Sequence, residues 1–369
     1  MKLHIYAANL HGGGAVVGAA SLIDTLVQQR LDDELSDISE MTFEVSSRVK
    51  RELLSPRVDQ ELRGVRWIVT DDRASSALHR RSDASDVRLV VRGPDYRRRS
   101  AAIEVLGFAD GNTVRHHAAP DRPSRRFSWR EAKRTYKRRR LAMYDAFVVQ
   151  TPSMSEALSS LVAPRPVALI PNAVSRIFYD PSRWAELQLP PRVPGEIRLF
   201  YPARGYAHKN HRFIPAVADQ VAQQSGRVLR VVTTLRDDEL HALFPAIPSS
   251  IINVGELMAA QCPTAYRATD GLFFPSCSET FSISPLEAVV MKRPVVAARF
   301  DFSTTMLGER ATYYSPDSPR EAARAVLRIV ESGKGRSGSG DGGCFEDPLL
   351  LTPHEQAQAY VKVLRSLVP

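Results

Sequence analysis

Gly271-Leu-Phe-Phe-Pro-Ser276 followed by Cys277-Ser-Glu-Thr-Phe-Ser-Ile-Ser-Pro-Leu-Glu-Ala-Val-Val290 is the stretch that decides how this chain is read. A short apolar run ends at Pro275. A loop of small and polar residues carries Glu279, and a helical pattern opens near Ser284 and contains Glu287. An apolar strand running into a loop and then a helix is the repeating unit of a parallel α/β sheet, which places its ligands beyond the carboxyl ends of its strands. Glu279 falls at such an end, with no basic residue beside it in sequence. Glu287 has a structural explanation, because Ser284-Pro285-Leu286-Glu287 fits a capping box with proline in the first turn. Small residues between the two acids leave backbone amides exposed at a helix start, where anions bind.

The same rhythm extends outward in both directions. Before this stretch come Glu196-Ile-Arg-Leu-Phe-Tyr201, Arg227–Leu235 and Ser250–Gly255. After it come Arg293–Arg299 and Ala311–Tyr314, so six strands make one doubly wound domain. An earlier cycle holds strand candidates at Lys2–Ala8, Met41–Ser47, Val65–Thr70, Val87–Val91, Ala101–Phe108 and Tyr144–Thr151. A length of 369 residues suits two cores better than one. The expected organisation is an N-terminal Rossmann-like domain over 1–175, a linker over 176–195 marked by its prolines, and a second Rossmann-like domain over 196–352. A C-terminal helix over 353–369 opens with Thr352-Pro353-His354-Glu355. The glycine- and serine-rich run 333–343 reads as a loop.

Composition narrows the function classes. The chain is 43% hydrophobic and 25% charged, with a net charge of +9. No run reaches the ~20 apolar residues of a membrane span. His4, Asn9 and His11 interrupt the apolar core that a secretion signal needs. Cys262, Cys277 and Cys344 lie far apart, which fits a reducing, cytoplasmic setting better than a disulfide framework. Ten of the basic residues crowd between Arg122 and Arg140. That cluster is either a solvated helix face or an attraction to an anionic membrane surface, possible on the inner face of the membrane. Nucleic acid is the weaker reading, since no recognised module accompanies the cluster.

Three further groups carry chemistry. Arg204 and Lys209 lie five residues apart just past the first strand of the second domain. A planar guanidinium and a compact ammonium suit a diphosphate whose charge grows as a glycosidic bond breaks. His208 and His211 share the loop, but no acid or cysteine completes a metal set, so no metal is expected. Gly12-Gly13-Gly14 follows the first strand and would let a backbone approach a ligand closely. Val17 breaks the dinucleotide fingerprint there. His116-His117 could serve a sugar or an acceptor from an N-domain loop, although a surface position is the commoner explanation for such histidines.

Taken together, Arg204 with Lys209, Asn253-Val-Gly-Glu-Leu257 and Glu279-x7-Glu287 resemble glycosyltransferase family 4, a retaining group of the GT-B fold. The weaker matches are the glycine loop, Val148–Leu158 and Ile170–Val174. The resemblance implies two Rossmann-like domains facing a central cleft, an acceptor domain over 1–175 that the C-terminal helix 353–369 rejoins and a nucleotide-sugar donor domain over 196–352. It also implies transfer of a sugar from a GDP-, UDP- or dTDP-sugar to a hydroxyl of a glycan or lipid-diphosphate-linked acceptor, as in bacterial polysaccharide or O-antigen assembly. The nucleotide sugar is a substrate, and no cofactor is implied. Carried over residue by residue, Arg204, Lys209 and the amides of Phe281, Ser282 and Ile283 hold the diphosphate. Glu279 binds the donor sugar beside the reacting carbon, and Glu287 takes the ribose. Asn253, Gly255 and Leu257 lie by the base, Gly13 and Gly14 approach the diphosphate, and His116 or His117 stands near the sugar. Thr280, Ser282 and Ser284 stand where relatives often have other small residues, and Asn210 replaces a frequent glycine after the lysine. The competing readings are a GT-B sugar-nucleotide epimerase or phosphorylase, and a noncatalytic basic binding module.

Overall fold

The computed structural model describes residues 1–54, 62–70, 85–93, 99, 101–114, 129–332 and 350–368, with side chains of 112 and 129–133 left aside. The chain divides into two compact units, Met1–Ala173 with Leu351–Pro369, and Val174–Leu350.

The first unit is built on seven strands: β1 (Lys2–Ala7), β2 (Glu40–Ser46), β3 (Val65–Thr70), β4 (Ser85–Val90), β5 (Ala101–Gly107), β6 (Ala146–Val149) and β7 (Val167–Leu169). They lie in the order β3-β2-β1-β4-β5-β6-β7, and every pair is parallel. Six of these strands match apolar runs in the sequence. The seventh, Val-Ala-Leu, has too few residues to show a period, and only its pairing with β6 defines it.

Side-chain alternation gives this sheet two different faces. Leu3, Ile5, Phe43, Val87 and Leu89 join one core with the helix Gly14–Leu31 and the C-terminal helix Pro353–Leu367, which contributes Ala357, Tyr360, Val361 and Leu364. The Thr352 hydroxyl accepts the Glu355 amide at 3.2 Å while Glu355 accepts the Thr352 amide at 2.8 Å, a capping box that starts the last helix. Tyr6, Val90, Leu106 and Phe147 form the core of the opposite face. A buried polar row crosses that face. His4 lies 3.2 Å from Glu44, Arg88 lies 3.0 Å from Glu104, and the Arg88 guanidinium sits 4.5 Å above the Tyr6 ring.

The second unit carries β8 (Glu196–Tyr201), β9 (Val228–Thr233), β10 (Ile251–Asn253), β11 (Gly271–Phe274), β12 (Val295–Ala298) and β13 (Ala311–Tyr314). All are parallel, in the order β10-β9-β8-β11-β12-β13. Strands covered on both faces read as continuous apolar runs, and β8 and β11 are buried at every position. The proline-marked segment 176–195 packs onto this unit. Phe178 meets the Tyr266 ring edge-on at 5.9 Å, and the Ala185 amide donates to Ala260.

Both sheets share one arrangement, in which the strand order reverses between the first strand and the fourth. In the second unit the reversal falls between β8 and β11, which pair directly with Leu272 opposite Phe200. Open α/β sheets bind ligands outside the carboxyl ends of such a pair.

Candidate active site

The loops that leave β8 and β11 are tied together where the strand order reverses. Tyr201, the last residue of β8, is buried and donates its hydroxyl to the Lys209 carbonyl at 2.7 Å. Its oxygen lies 2.9 Å from the Ser276 hydroxyl, just past β11. The Cys277 amide donates to the His208 carbonyl at 2.7 Å. Burial keeps the Tyr201 phenol neutral by raising its pKa well above the ordinary value. The loops are thus held by neutral groups, which leaves the charged side chains for other work.

Lys209 and Glu279 meet in this frame. The lysine Nζ donates to Glu279 Oε1 at 2.5 Å, with side chains 16% and 9% exposed. Glu279 lacks a basic neighbour in sequence, and the fold supplies one from seventy residues away. Lys209 sits in a turn, Ala207–Lys209, that leads through Asn210 to a second turn and then the helix Ile214–Ser225. Asn210 takes φ 55° and ψ 38°, the left-handed conformation that asparagine tolerates better than other non-glycine residues. His211 is buried beside the Tyr201 ring at 4.8 Å. Burial, helped by the nearby Lys209 ammonium, lowers its pKa to about 4 and keeps it neutral.

Arg204 is anchored by two carboxylates. Its Nε donates to Glu239 at 2.9 and 3.2 Å, and its Nη1 donates to Glu256 at 2.8 Å. Glu239 stands in the first turn of the helix Asp237–Leu243, and Glu256 follows Gly255 in the loop beyond β10. Burial opposes ionisation of Glu239. The amides of Arg236 and Gly205 and the Arg204 guanidinium outweigh it and hold the carboxyl below the usual carboxylate range. Neither acid stands out in the sequence reading. Glu256 lies inside the Asn253–Leu257 stretch, but only the packed chain brings it to Arg204.

Glu287 corrects one expectation. The capping box at Ser284 does not form, because the helix runs Ser284–Val290 with Ile283 at its N-cap. Ser284 is therefore already helical, and Glu287 sits one position beyond the capping site. Its buried carboxylate accepts instead from the Tyr266 hydroxyl at 3.0 Å, while that hydroxyl also lies 2.8 Å from the Ser284 carbonyl. One phenolic proton cannot serve both acceptors fully. Burial raises the Glu287 pKa from 4.5 to about 7, and the Tyr266 bond offsets that only in part. A protonated Glu287 can donate to the phenol oxygen and leave the phenol's proton for Ser284.

The family described as glycosyl transferases group 1 matches residues 196–332, the span that contains all of these groups. Over the whole chain, the same fold is found in several solved structures of low sequence identity. Sucrose-phosphate synthase from Thermosynechococcus elongatus has TM-score 0.65 and 14% identity, covering 100% of this chain and 99% of that one. HepE from Anabaena, in complex with UDP and glucose, has TM-score 0.61 and 12% identity, covering 99% and 100%. The E. coli trehalose-6-phosphate protein bound with UDP-2-fluoro glucose has TM-score 0.61 and 10% identity, covering 100% of both chains. No protein of curated function matches the sequence. The chain is a glycosyltransferase of the GT-B fold, built from two Rossmann-like units.

Other residues singled out in this glycosyltransferase take varied positions. Ser282 is buried with its hydroxyl 3.4 Å from that of Ser284, while Phe281 and Ile283 are half-buried on the loop before the helix. Asn253 spends its side chain on the backbone, donating to the Leu235 carbonyl at 2.9 Å and accepting the Leu235 amide at 2.9 Å. Gly255 takes φ +73°, and Leu257 is half-buried beside exposed Glu256. In the first unit Gly13 caps the helix Gly14–Leu31 with φ +69°, a conformation that favours glycine. His116, His117, the loop 333–343 and Arg122–Arg126 lie outside the described residues. In the described part of the basic stretch, Lys137 pairs with Asp110 at 2.5 Å and Arg138 donates to the Thr113 carbonyl at 3.2 Å. Both thus serve the packing of the first unit. Among the described residues no helix is long and apolar enough to cross a membrane.

Proposed function

We propose that this glycosyltransferase moves a sugar from a nucleotide-sugar donor to an acceptor hydroxyl with retention at the anomeric carbon. The observation that carries the reading is the contact of Lys209 with Glu279 where β8 and β11 part, with Arg204 in the same β8 loop. In this reading the two cations, with the amides of Phe281, Ser282 and Ile283, stabilise the charge that develops on the leaving diphosphate. Glu279 holds donor-sugar hydroxyls and keeps the Lys209 ammonium beside the phosphate. Glu287 takes the ribose, Asn253, Gly255 and Leu257 border the base, and Gly13 and Gly14 approach the diphosphate. His116 or His117 assists at the sugar. The leaving phosphate oxygen accepts the acceptor's proton as the new bond forms on the same face of the sugar. Positioning and charge stabilisation carry the rate. The reaction so drawn calls for neither a metal nor a resident cofactor.

The acceptor we infer is a glycan or a lipid-diphosphate-linked glycan of the kind used in bacterial polysaccharide or O-antigen assembly. The basic stretch Arg122–Arg140 supports a cytoplasmic enzyme that works near an anionic lipid surface. UDP is the first nucleotide to try, since two of the similar structures hold UDP or a UDP-sugar.

The test is a panel of UDP-, GDP- and dTDP-sugars offered with and without glycan acceptors, followed by nucleotide release and by NMR of the product anomer. Acceptor-dependent release with the donor's anomeric configuration kept is the expected result. Inversion would remove the retaining mechanism. Interconversion of free sugar nucleotides without acceptor would identify an epimerase instead.

A further inference from the structure

Arg204 offers five N–H donors in one plane, and two carboxylates share them unequally. Glu239 is built in. Its carboxylate accepts the Arg236 amide at 3.1 Å and also bonds the Gly205 amide. Its side chain packs so closely on Gly205 that a Cβ there would stand 2.8 Å from Glu239 Cβ. With both oxygens within 3.2 Å of Arg204 Nε and a side chain 12% exposed, it can hold the guanidinium in only one orientation. Glu256 touches the same guanidinium from a different setting. Its side chain is 37% exposed, it rides on a loop that turns at Gly255, and it meets the guanidinium at Nη1, 2.8 Å away.

We propose that Glu239 is a positioning residue for Arg204, and that Glu256 is an exchangeable stand-in that occupies Nη1 until a nucleoside diphosphate displaces it. The proposal rests on the reading of Arg204 as a diphosphate ligand. Charge balance gives it a purpose. In the ligand-free protein Lys209 is matched by Glu279 and Arg204 by Glu239 and Glu256, so the site presents no excess positive charge to passing anions. A small anion must break the Glu256 contact with little in return. A diphosphate that also engages Lys209 and the neighbouring amides replaces it with more contacts than it removes. Glu256 therefore lowers affinity for every anion and raises selectivity for the long one, which is discrimination by a competing interaction. Glu239 acts in the opposite sense, because an arginine with its plane fixed loses less freedom when it binds.

The experiment measures binding by titration calorimetry. UDP, GDP and dTDP are compared first, and the tightest binder is then used with its own nucleoside as the uncharged control. Exposed and half-exposed ion pairs are worth little individually, so Glu256→Gln should tighten the diphosphate by about threefold. It should tighten inorganic phosphate by at least as much and leave the nucleoside unchanged. Glu239→Gln keeps an oxygen for the Arg236 amide. It should weaken the diphosphate by about tenfold, again without moving the nucleoside, and melting curves check that it stays folded. Arg204→Ala separates the two levels of the argument. If it binds the diphosphate as tightly as the wild type, the donor-site reading falls. If it loses affinity while Glu256→Gln changes nothing or weakens binding, the stand-in role is overturned and the donor site survives.

Discussion

The two sheets of this glycosyltransferase put the same strand order to different uses. Where β8 and β11 separate, the loops carry charge: Lys209 on Glu279, Arg204 on Glu239 and Glu256, and buried Glu287 on Tyr266. Where β1 and β4 separate, the groups are small or turned to the backbone. Gly13 takes a left-handed turn, and Asn9 donates to the Arg92 carbonyl at 2.6 Å. Arg92 itself donates to Asn172 at 2.6 Å, and its guanidinium lies where a Cβ on Gly18 would come within 2.8 Å. Burial lowers the Arg92 pKa below the ordinary arginine value. One arginine at a strand end is paired with two carboxylates, one of them 37% exposed, and the other is part of the packing. The difference lies in whether the neighbouring side chains leave N–H groups for a ligand, which topology alone does not decide.

Removing charge at the second site should have the largest effect. Lys209→Ala and Glu279→Ala should each lower turnover by roughly 10²–10³-fold while circular dichroism and melting stay near wild type, as expected when a transition-state contact is deleted. Wild-type turnover in either variant would sink the assignment.

Next comes the buried acid. A carboxyl whose pKa rises from 4.5 unfolded to about 7 folded costs nothing below pH 4.5, and it destabilises the fold increasingly as pH climbs to 7. Glu287→Gln should therefore be more stable than wild type above pH 7, by about 3 kcal/mol on the conversion of 1.36 kcal/mol per pKa unit. It should also weaken donor binding. His211 works with the opposite sign, since its depressed pKa favours folding above pH 6.5 and that benefit is lost as pH falls toward 4. In the wild type the two titrations offset each other between pH 4.5 and 6.5. Urea midpoints across pH 4–8 should thus climb in the variant up to pH 6.5 and then level. A variant-minus-wild-type difference independent of pH would remove the buried-acid assignment.

The packed site calls for smaller effects, on stability rather than chemistry. A Cβ on Gly107 would lie 1.9 Å from the Val91 carbonyl oxygen, and backbone cannot swing aside as a side chain can. Gly107→Ala should cost about 1–3 kcal/mol in denaturant titration. Asn9→Ala removes the hydrogen bond to Arg92 and should cost about 1 kcal/mol. An effect of either on stability as small as an exposed surface change would mean that this strand end is not the rigid packing described here.

Much of this was open to a reader of the sequence. Twelve of the thirteen strands showed as apolar runs, because a sheet covered on both faces needs nearly continuous apolar residues. Arg204, Lys209 and Glu279 stood out because each lies in the loop just past an apolar strand, and Glu287 because it stands in the first turn of the helix that follows. Glu239 and Glu256 did not, because an acid in a first helical turn or beside a glycine has an ordinary local explanation. Glu287 shows the reverse failure. Its local pattern promised a capping box, and a one-position shift in where the helix starts turned the carboxyl inward to Tyr266 instead.

The sequence by itself determined the rhythm of strands and helices and the residue types at the strand ends, since both depend on neighbours a few positions away. Only the tertiary structure decided the pairings: Lys209 with Glu279, Arg204 with its two acids, Tyr266 with Glu287. Those contacts span twenty-one to seventy positions. They exist because parallel crossovers return the chain to the same end of the sheet and bring β11 directly beside β8. No local period encodes which of several loop acids will meet a given cation there. Packing makes that choice, and with it decides which charges stay open to a ligand.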